Sequence, residues 1–319
     1  MKTMINVKIV LKRLWLTDSR LTAVGLGMFL LLAVTGVALL LDPREIGGAP
    51  AWMKPAKFAA SIGIYTLTLA WVFTYLPEWV KTRRVVSWIT TVTLILEIII
   101  IDLQAWRGTT SHFNVGTVLD GVMFTVMGLA IVVQTLSAVA VAVALWRQNF
   151  ADKAMGWALR LGLTITIIGA MSGGLMTTPT AAQLEAARAG NRMTIAGAHT
   201  VGAPDGGPGL PVTGWSRDHG DLRVAHFLGL HALQILPLLT FVFTTRGWNE
   251  ARRVRVTLAA AGSYVALFGL LMWQALRGQS ITGPDGTTLT AIALWAVVSG
   301  ILFWMASYRP SSVRAHAIV

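Results

Sequence analysis

Cysteine is absent from all 319 residues. Disulfides, iron–sulfur clusters and thiolate metal ligands are therefore excluded. Charge is scarce as well: 13% of residues are Asp, Glu, Lys or Arg, about half the share of a soluble chain. There is no phosphate-cradling glycine loop and no G-x-S-x-G elbow. No polar stretch is long enough for a soluble catalytic domain, and no Ser–His–Asp set can be argued from the pattern. What fills the chain is apolar, with 55% hydrophobic residues and a mean hydropathy of +0.64. Runs of about 20 apolar residues recur, each able to cross a hydrocarbon core of roughly 30 Å. They predict an all-α polytopic membrane protein with eight transmembrane helices, at 21–41, 57–76, 84–103, 115–145, 157–176, 224–245, 254–276 and 288–308.

The net charge of +12 does not point to nucleic acid, because the basic residues sit in short loops between spans. Loops on the N-terminal side hold Lys2, Lys8, Lys12, Arg13 and Arg20, then Lys81, Arg83 and Arg84, then Arg147, Lys153 and Arg160. Arg246, Arg252, Arg253 and Arg255 follow, then Arg309 and Arg314, to make 17 of the 26 basic residues. The positive-inside rule then predicts N- and C-termini in the cytoplasm and a multi-pass protein of a bacterial inner membrane. Trp15, Trp52, Trp79, Trp106, Trp146, Trp215 and Trp248 fall near span ends, as interfacial anchors do. No cleavable signal peptide is expected, since the basic N-terminus runs straight into a full-length span. In this orientation His112, His199, His219, His226 and His231 lie at or just below the outer face, and His316 alone is cytoplasmic.

Short matches recur in order. QAWRG at 104–108 returns as QALRG at 274–278, AKF at 56–58 as AHF at 225–227, and AVTG at 33–36 as AMSG at 170–173. They predict a four-plus-four tandem repeat, with a first half at 1–150 and a second at 151–319, related by an axis along the membrane normal. The offset grows by 32 residues between spans 5 and 6, which locates an insertion within a periplasmic insert at 177–223. Thr180 and Gln183 have capping-box spacing for a short helix there. The Gly/Pro-rich stretch AGAHTVGAPDGGPGLPVTGWSRDHGD at 196–221, with Trp215 and few charges, is expected to pack down on the membrane domain as a lid or docking surface. A solvated linker is the alternative.

GDLRVAHFLGLHALQILP at 220–237 puts His226 and His231 at the top of span 6, where the sister span has Lys57 and Ile62. Five residues apart on a helix, they differ by about 140° and roughly 7.5 Å of rise. One small ion wants i, i+4 spacing, so the two histidines are expected to face different neighbours. Pro237 frees the carbonyl of Leu233 and is the expected kink. Gly229 leaves a flat surface for a helix or a planar ring.

Three chemistries fit these residues. Haem b in a helical bundle is held by imidazoles from facing helices, with propionates on basic groups near the interface. His112, His226 and His231 are the axial candidates, and Arg107, Arg223 and Arg277 the propionate partners. Electron transfer or haem handling would follow, in an oxidoreductase-type membrane cytochrome with a redox partner or quinone. A metal site, separate or beside the haem, would take His199 and His219, with His231 or one of Asp205, Asp218 and Asp221, around Zn or Cu. The third chemistry is transport. Glu97, in LILEIIIID of span 3, Asp102 near its outer end and Asp120 in span 4 beside Gln134 are intramembrane carboxylates, functional candidates by default. A relay from them toward the histidines suits a proton- or cation-coupled transporter centred on Glu97 and Asp120. Each side chain also has a plain alternative, a hydrogen bond to a neighbouring span or carbonyl. Gly169 and Gly173 form a GxxxG suited to close helix packing.

On this plan of eight spans, two halves and outer histidines, the chain resembles haem A synthase and the b-type membrane cytochromes. Its motifs KPAKF, QAWRGTTSHFN, PDGGPGLPVTGW and GDLRVAHFLGLHALQ are also similar to those of uncharacterised bacterial multi-spanning membrane proteins. The resemblance to haem A synthase implies histidines paired within each half, on the second and fourth spans. Lys57 stands at the first-half position and span 8 has no histidine. Two complete bis-histidine sites are thereby excluded, and one mixed site, His112 with span 6, is what the resemblance implies here. The bilayer is the partner expected throughout, and a homodimer stays open.

Overall fold

Small polar side chains start most of the helices. Asp18, Thr117, Asp152, Thr180, Asp221, Asn249 and Asp285 each accept a backbone N–H of the first turn that follows, satisfying donors that a helix leaves free. The structure, a computed structural model, describes residues 6–308. Lys2, Arg309, Arg314 and His316 lie outside them. In chain order the elements are α1 (Val7–Thr17), α2 (Ser19–Leu41), β1 (Glu45–Ile46), β2 (Ala49–Pro50), α3 (Met53–Phe73), α4 (Val80–Trp106) and α5 (Val118–Arg147). Then come α6 (Lys153–Met176), α7 (Ala181–Arg188), β3 (Thr200–Val201), β4 (Gly220–Asp221), α8 (Leu222–Leu230), α9 (Ala232–Thr245), α10 (Glu250–Leu276) and α11 (Gly286–Ser307). Among the described residues seven helices are long and apolar enough to cross a membrane, or eight if α8 and α9, bent by 50°, count as one span. The chain is a multi-pass helical membrane protein. Helix α1, ahead of the spans, is not anticipated by the apolar runs; it packs through Leu14 into the core beside Leu21.

Helix α2 packs on α3 and α4, α3 on α4, and α4 on α5. In the same sequence α6 packs on α8, α9 and α10, α10 on α8 and α9, and α10 on α11. Contact between α5 and α6 joins the two sets. The largest apolar cluster gathers Leu21, Phe73, Leu76, Leu145, Leu159, Leu163, Leu233 and Leu236. It fills the end of the bundle nearer the chain termini, here called the terminal end. The opposite, insert end is left to polar groups.

Helices α4 and α10 close alike at that insert end. Gly108 and Gly278 both adopt φ 75°, which a side chain would resist. The N–H of Thr109 reaches back to the Gln104 carbonyl at 3.0 Å, and that of Gln279 to the Gln274 carbonyl at 3.2 Å, as in a Schellman turn. The arginine before each glycine then latches the next helix. Arg107 donates to Asp120 at 2.7 Å and also to Gln104, while Thr117 caps α5 and donates to Asp120 at 2.6 Å. Arg277 donates to Asp285 at 2.7 Å and to Thr288 at 3.0 Å, with Asp285 as the cap of α11. Acid and hydroxyl have exchanged places between the two latches, three residues apart in each.

The sixth span is bent at His231, not at Pro237, which lies inside α9. The cause is the crossing with α6. A Cβ on Gly169 would come within 2.5 Å of the Gly229 backbone, and one on Gly162 within 3.1 Å of Ala232. The backbone groups at the bend are taken up by neighbours: Thr166 donates to the Leu230 carbonyl at 3.3 Å and accepts from the Leu233 N–H at 3.1 Å. Tyr264 donates to the Leu228 carbonyl at 2.6 Å. A broken helix is tolerated in a bilayer only with such substitutes.

The insert is packed down. Thr180 and Gln183 form the expected capping box, and Gln183 also holds both backbone groups of Gly197, at 2.9 and 3.0 Å. Ile195 bridges to Asn114 of the α4–α5 loop, Lys57 of α3 donates to the Thr213 carbonyl at 3.0 Å, and Ser280 and Thr282 donate to the carbonyls of Ser216 and Arg217. It is a lid tied to α3, to the α4–α5 loop and to the loop between α10 and α11.

Candidate functional site

Helix α3 begins at Met53, four residues earlier than the apolar run predicts, and this brings Lys54 into its first turn. A cation there opposes the positive pole of the helix, so it needs a counter-charge. The Lys54 amine lies 3.0 Å from Nδ1 of His112, and Oε1 of Glu97 lies 3.6 Å from its Nε2, at ion-pair range rather than hydrogen-bond range. One imidazole thus stands between an amine and a carboxyl. Ser111 Oγ also reaches Nδ1, at 3.1 Å. Glu97 is 1% exposed, and its Oε2 has no hydrogen-bond partner.

The α4–α5 loop holds His112 in place. Asn114 bonds Thr109 at 2.9 Å and the Gly116 N–H at 3.1 Å. Phe113 sits at φ 63°, strained for a residue with a side chain. Its carbonyl accepts the Ala196 N–H of the insert at 2.8 Å. The rings of Phe58, Phe113 and Phe124 surround the imidazole, with centroids 5.7, 6.2 and 6.4 Å away. Burial in this apolar wall, together with the charges of Lys54 and His199, holds the His112 pKa well below the ordinary histidine value.

Behind Phe113, at a centroid distance of 4.7 Å, lies His199. Its Nδ1 is 2.8 Å from Asp205, which also accepts the N–H groups of His199 and Thr200. Burial lowers the His199 pKa against the opposing pull of Asp205. Burial alone would raise Asp205; the hydrogen bond from His199 overrides it and holds the carboxyl well below its usual range.

The other expected site residues are dispersed. His226 faces α6, with Nδ1 2.8 Å from the Gly169 carbonyl and 3.3 Å from Ser172 Oγ, and Nε2 makes no hydrogen bond among the described residues. His231, at the bend, packs on Phe227 at 4.3 Å. The two histidines do face different neighbours. His219 is exposed, and among the described residues no three His, Asp or Glu gather as a metal group. Arg223 is paired with Asp221 at 2.5 Å, as Arg107 is with Asp120 and Arg277 with Asp285. Asp102 lies about 140° around α4 from Glu97, with one oxygen buried and unpartnered.

A haem b fits this arrangement poorly. Both nitrogens of His112 already face a charged group, the remaining candidates His226 and His231 share one broken span instead of facing helices, and the three arginines are paired. Asp120 is set apart from Glu97 by Ile101, which lies between Glu97 and Gln104 on the same face of α4 and packs with Ile100 and Met127. What the structure brings together is His112, Glu97 and His199, with Lys54 added. The sequence signal for Lys54 is its place in KPAKF, a second lysine one turn from Lys57 at the head of an apolar span. No protein family, curated protein or solved structure matches the chain.

Proposed function

We propose that the chain is a proton-coupled carrier of a bacterial inner membrane, with Lys54, His112 and Glu97 as its proton-handling centre. The observation that carries this reading is the single imidazole placed between a half-buried amine and a buried carboxyl. Two proton arrangements of the triad have the same composition. In one, Glu97 is a protonated carboxyl facing Nε2 and Nδ1–H donates to a neutral Lys54 amine. In the other, Nε2–H faces the Glu97 carboxylate and the Lys54 ammonium donates to Nδ1; the proton passes at Nε2 when the 3.6 Å gap closes to hydrogen-bond distance. Passing from the first to the second moves one proton onto the imidazole at Nε2 and one off it at Nδ1. Positive charge is thereby delivered to Lys54 without an imidazolium, which the surroundings of His112 disfavour. In the second arrangement the Lys54 ammonium repels a metal cation, which favours protons over other cations.

The same reading takes both termini as cytoplasmic and the insert as periplasmic, on the 17 basic residues of the N-terminal side. The matched packing order of α2–α5 and α6–α11, and the paired Arg107 and Arg277 latches, support a four-plus-four repeat. Asp120 then serves as a latch, not a carrier of protons.

Infrared difference spectra of the purified protein, titrated across the neutral range, test the centre. A carboxyl band lost in Glu97→Gln should shift in both His112→Asn and Lys54→Met. A Glu97 band indifferent to both substitutions overturns the reading. So does a Soret band in the same preparation whose α and β bands sharpen with dithionite, which would return the histidines to haem.

A further inference from the structure

We propose that the buried polar face of α4 conducts protons to this centre from the terminal end of the bundle. The inference rests on the proton-handling reading of Lys54, His112 and Glu97 and adds a route to it. Ser87, Thr90, Thr93 and Glu97 are spaced by three, three and four residues, so they share one face of the helix. All four are buried, while Val85, Trp88, Val92 and Ile99 of the same helix are exposed. Apolar side chains would fill that buried face at no desolvation cost; polar groups inside a bilayer carry one.

The face has partners at intervals along about 15 Å of rise. At the terminal end Arg20 Nε donates to Ser87 Oγ at 3.3 Å, its guanidinium 4.9 Å from the Trp88 ring. Midway, Thr93 Oγ1 lies 2.8 Å from the Ile89 carbonyl and 3.1 Å from Gln134 Oε1, two acceptors between which its one hydroxyl proton can turn, and Gln134 Nε2 donates to Tyr65 OH at 3.1 Å. Between and beyond these, Thr90 Oγ1 and Glu97 Oε2 are buried without any hydrogen-bond partner. Buried polar atoms are rarely orphaned. Helix α4 also carries Thr91 Oγ1 and Asp102 Oδ1 in that condition off this face, and Arg83 Nε a turn before Ser87. Thr90 and Glu97 alone of the five lie on the stretch of the face from Ser87 to the centre, about 10 Å of rise apart, and each needs its own exchangeable partner. Successive side chains one turn apart have Cβ atoms about 5–6 Å apart, which one water spans with two hydrogen bonds of about 2.8 Å.

The route cannot continue straight up α4, because Ile101 occupies the next position of the face and is sealed by Ile100 and Met127. It turns at Glu97 instead. A proton arriving at Oε2 neutralises the carboxylate; the proton leaving from Oε1 goes to His112 Nε2, while Nδ1 passes its own to Lys54. The charged or titratable groups that face Glu97 are Lys54 from α3 and His112 from the α4–α5 loop.

Reconstitution of the full chain in vesicles holding a pH-sensitive dye, with an imposed pH step and potassium–valinomycin to clamp the voltage, tests the route. Proton flux above that of protein-free vesicles is expected, as uncoupled leak through the carrier in the absence of its cargo. It should fall by about tenfold or more in Thr90→Val/Thr93→Val and in Glu97→Gln, and persist in Thr90→Ser/Thr93→Ser, which keeps the hydroxyls. Thr125→Val, on the exposed side of α5, is the matched control, and each variant is first checked for the wild-type unfolding midpoint. Flux lowered by Glu97→Gln but untouched by Thr90→Val/Thr93→Val overturns the route and leaves the centre standing. Flux absent in the wild type also overturns it, and the infrared coupling of Glu97 to His112 then decides the centre separately.

Discussion

Lys54 is the residue on which the site turns, and its burial has an energetic consequence that can be measured. Its ammonium opposes the α3 dipole and interacts with Glu97 across His112. Lys54→Met removes the counter-charge and leaves a buried carboxyl uncompensated, a loss on the order of 3 kcal/mol. A lowered thermal unfolding midpoint is expected, with much of the loss recovered in Lys54→Met/Glu97→Gln. A single variant as stable as the wild type would mean that Glu97 needs no partner. At this scale the sequence was partly legible. Glu97 and His112 stood out because a charge or an imidazole is rare in an apolar run. Lys54 did not, because a lysine at the end of a span reads as an interfacial anchor; only the helix starting at Met53 turns it inward.

Among elements, α6 and α8 make a crossing of backbone on backbone. Gly169 meets the backbone of Gly229, which cannot rotate out of the way as a side chain can, whereas a methyl group on Gly174 of the same helix would meet nothing within 4 Å. Gly169→Ala should cost about 1–3 kcal/mol and Gly174→Ala close to nothing, read as unfolding midpoints by tryptophan fluorescence. Equal effects would mean that α8 slides freely over α6. The GxxxG at Gly169 and Gly173 announced this crossing in advance. The bend did not announce itself: Pro237 marks a missing donor, but the chain bends where Thr166 and Tyr264 supply replacements, and both lie far away in sequence.

For the whole molecule, the lid couples its own attachment to two neutral imidazoles. Burial holds both His112 and His199 below the ordinary value of 6.5. A histidine kept neutral in the fold takes up its proton when released, so attachment is complete above that value and weakens as the pH falls through it. Asp205, held low by His199, stays charged over this range. Deuterium uptake at the backbone N–H groups of Val115, Ala196 and Leu222, which close the lid, should rise between about pH 7.5 and about pH 5.5 once intrinsic exchange is corrected. Unchanged protection would show that the lid is indifferent to these residues. Spans were legible at this scale because apolar length is a local property. The seating of the lid was not, since Asn114–Ile195 and Lys57–Thr213 join residues with no local pattern linking them.

The order of synthesis gives the lid a clock. His112 leaves the ribosome with the first half of the chain, whereas the segment around Ile195 that clips its loop, and His199 behind it, follow more than eighty residues later. At roughly 5–20 residues per second that is a delay of roughly 4–17 s. During this interval His112 lacks the backbone clip of Ala196 and the neighbouring ring of His199. The first four spans alone therefore lack the contacts that the insert makes on the His112 loop.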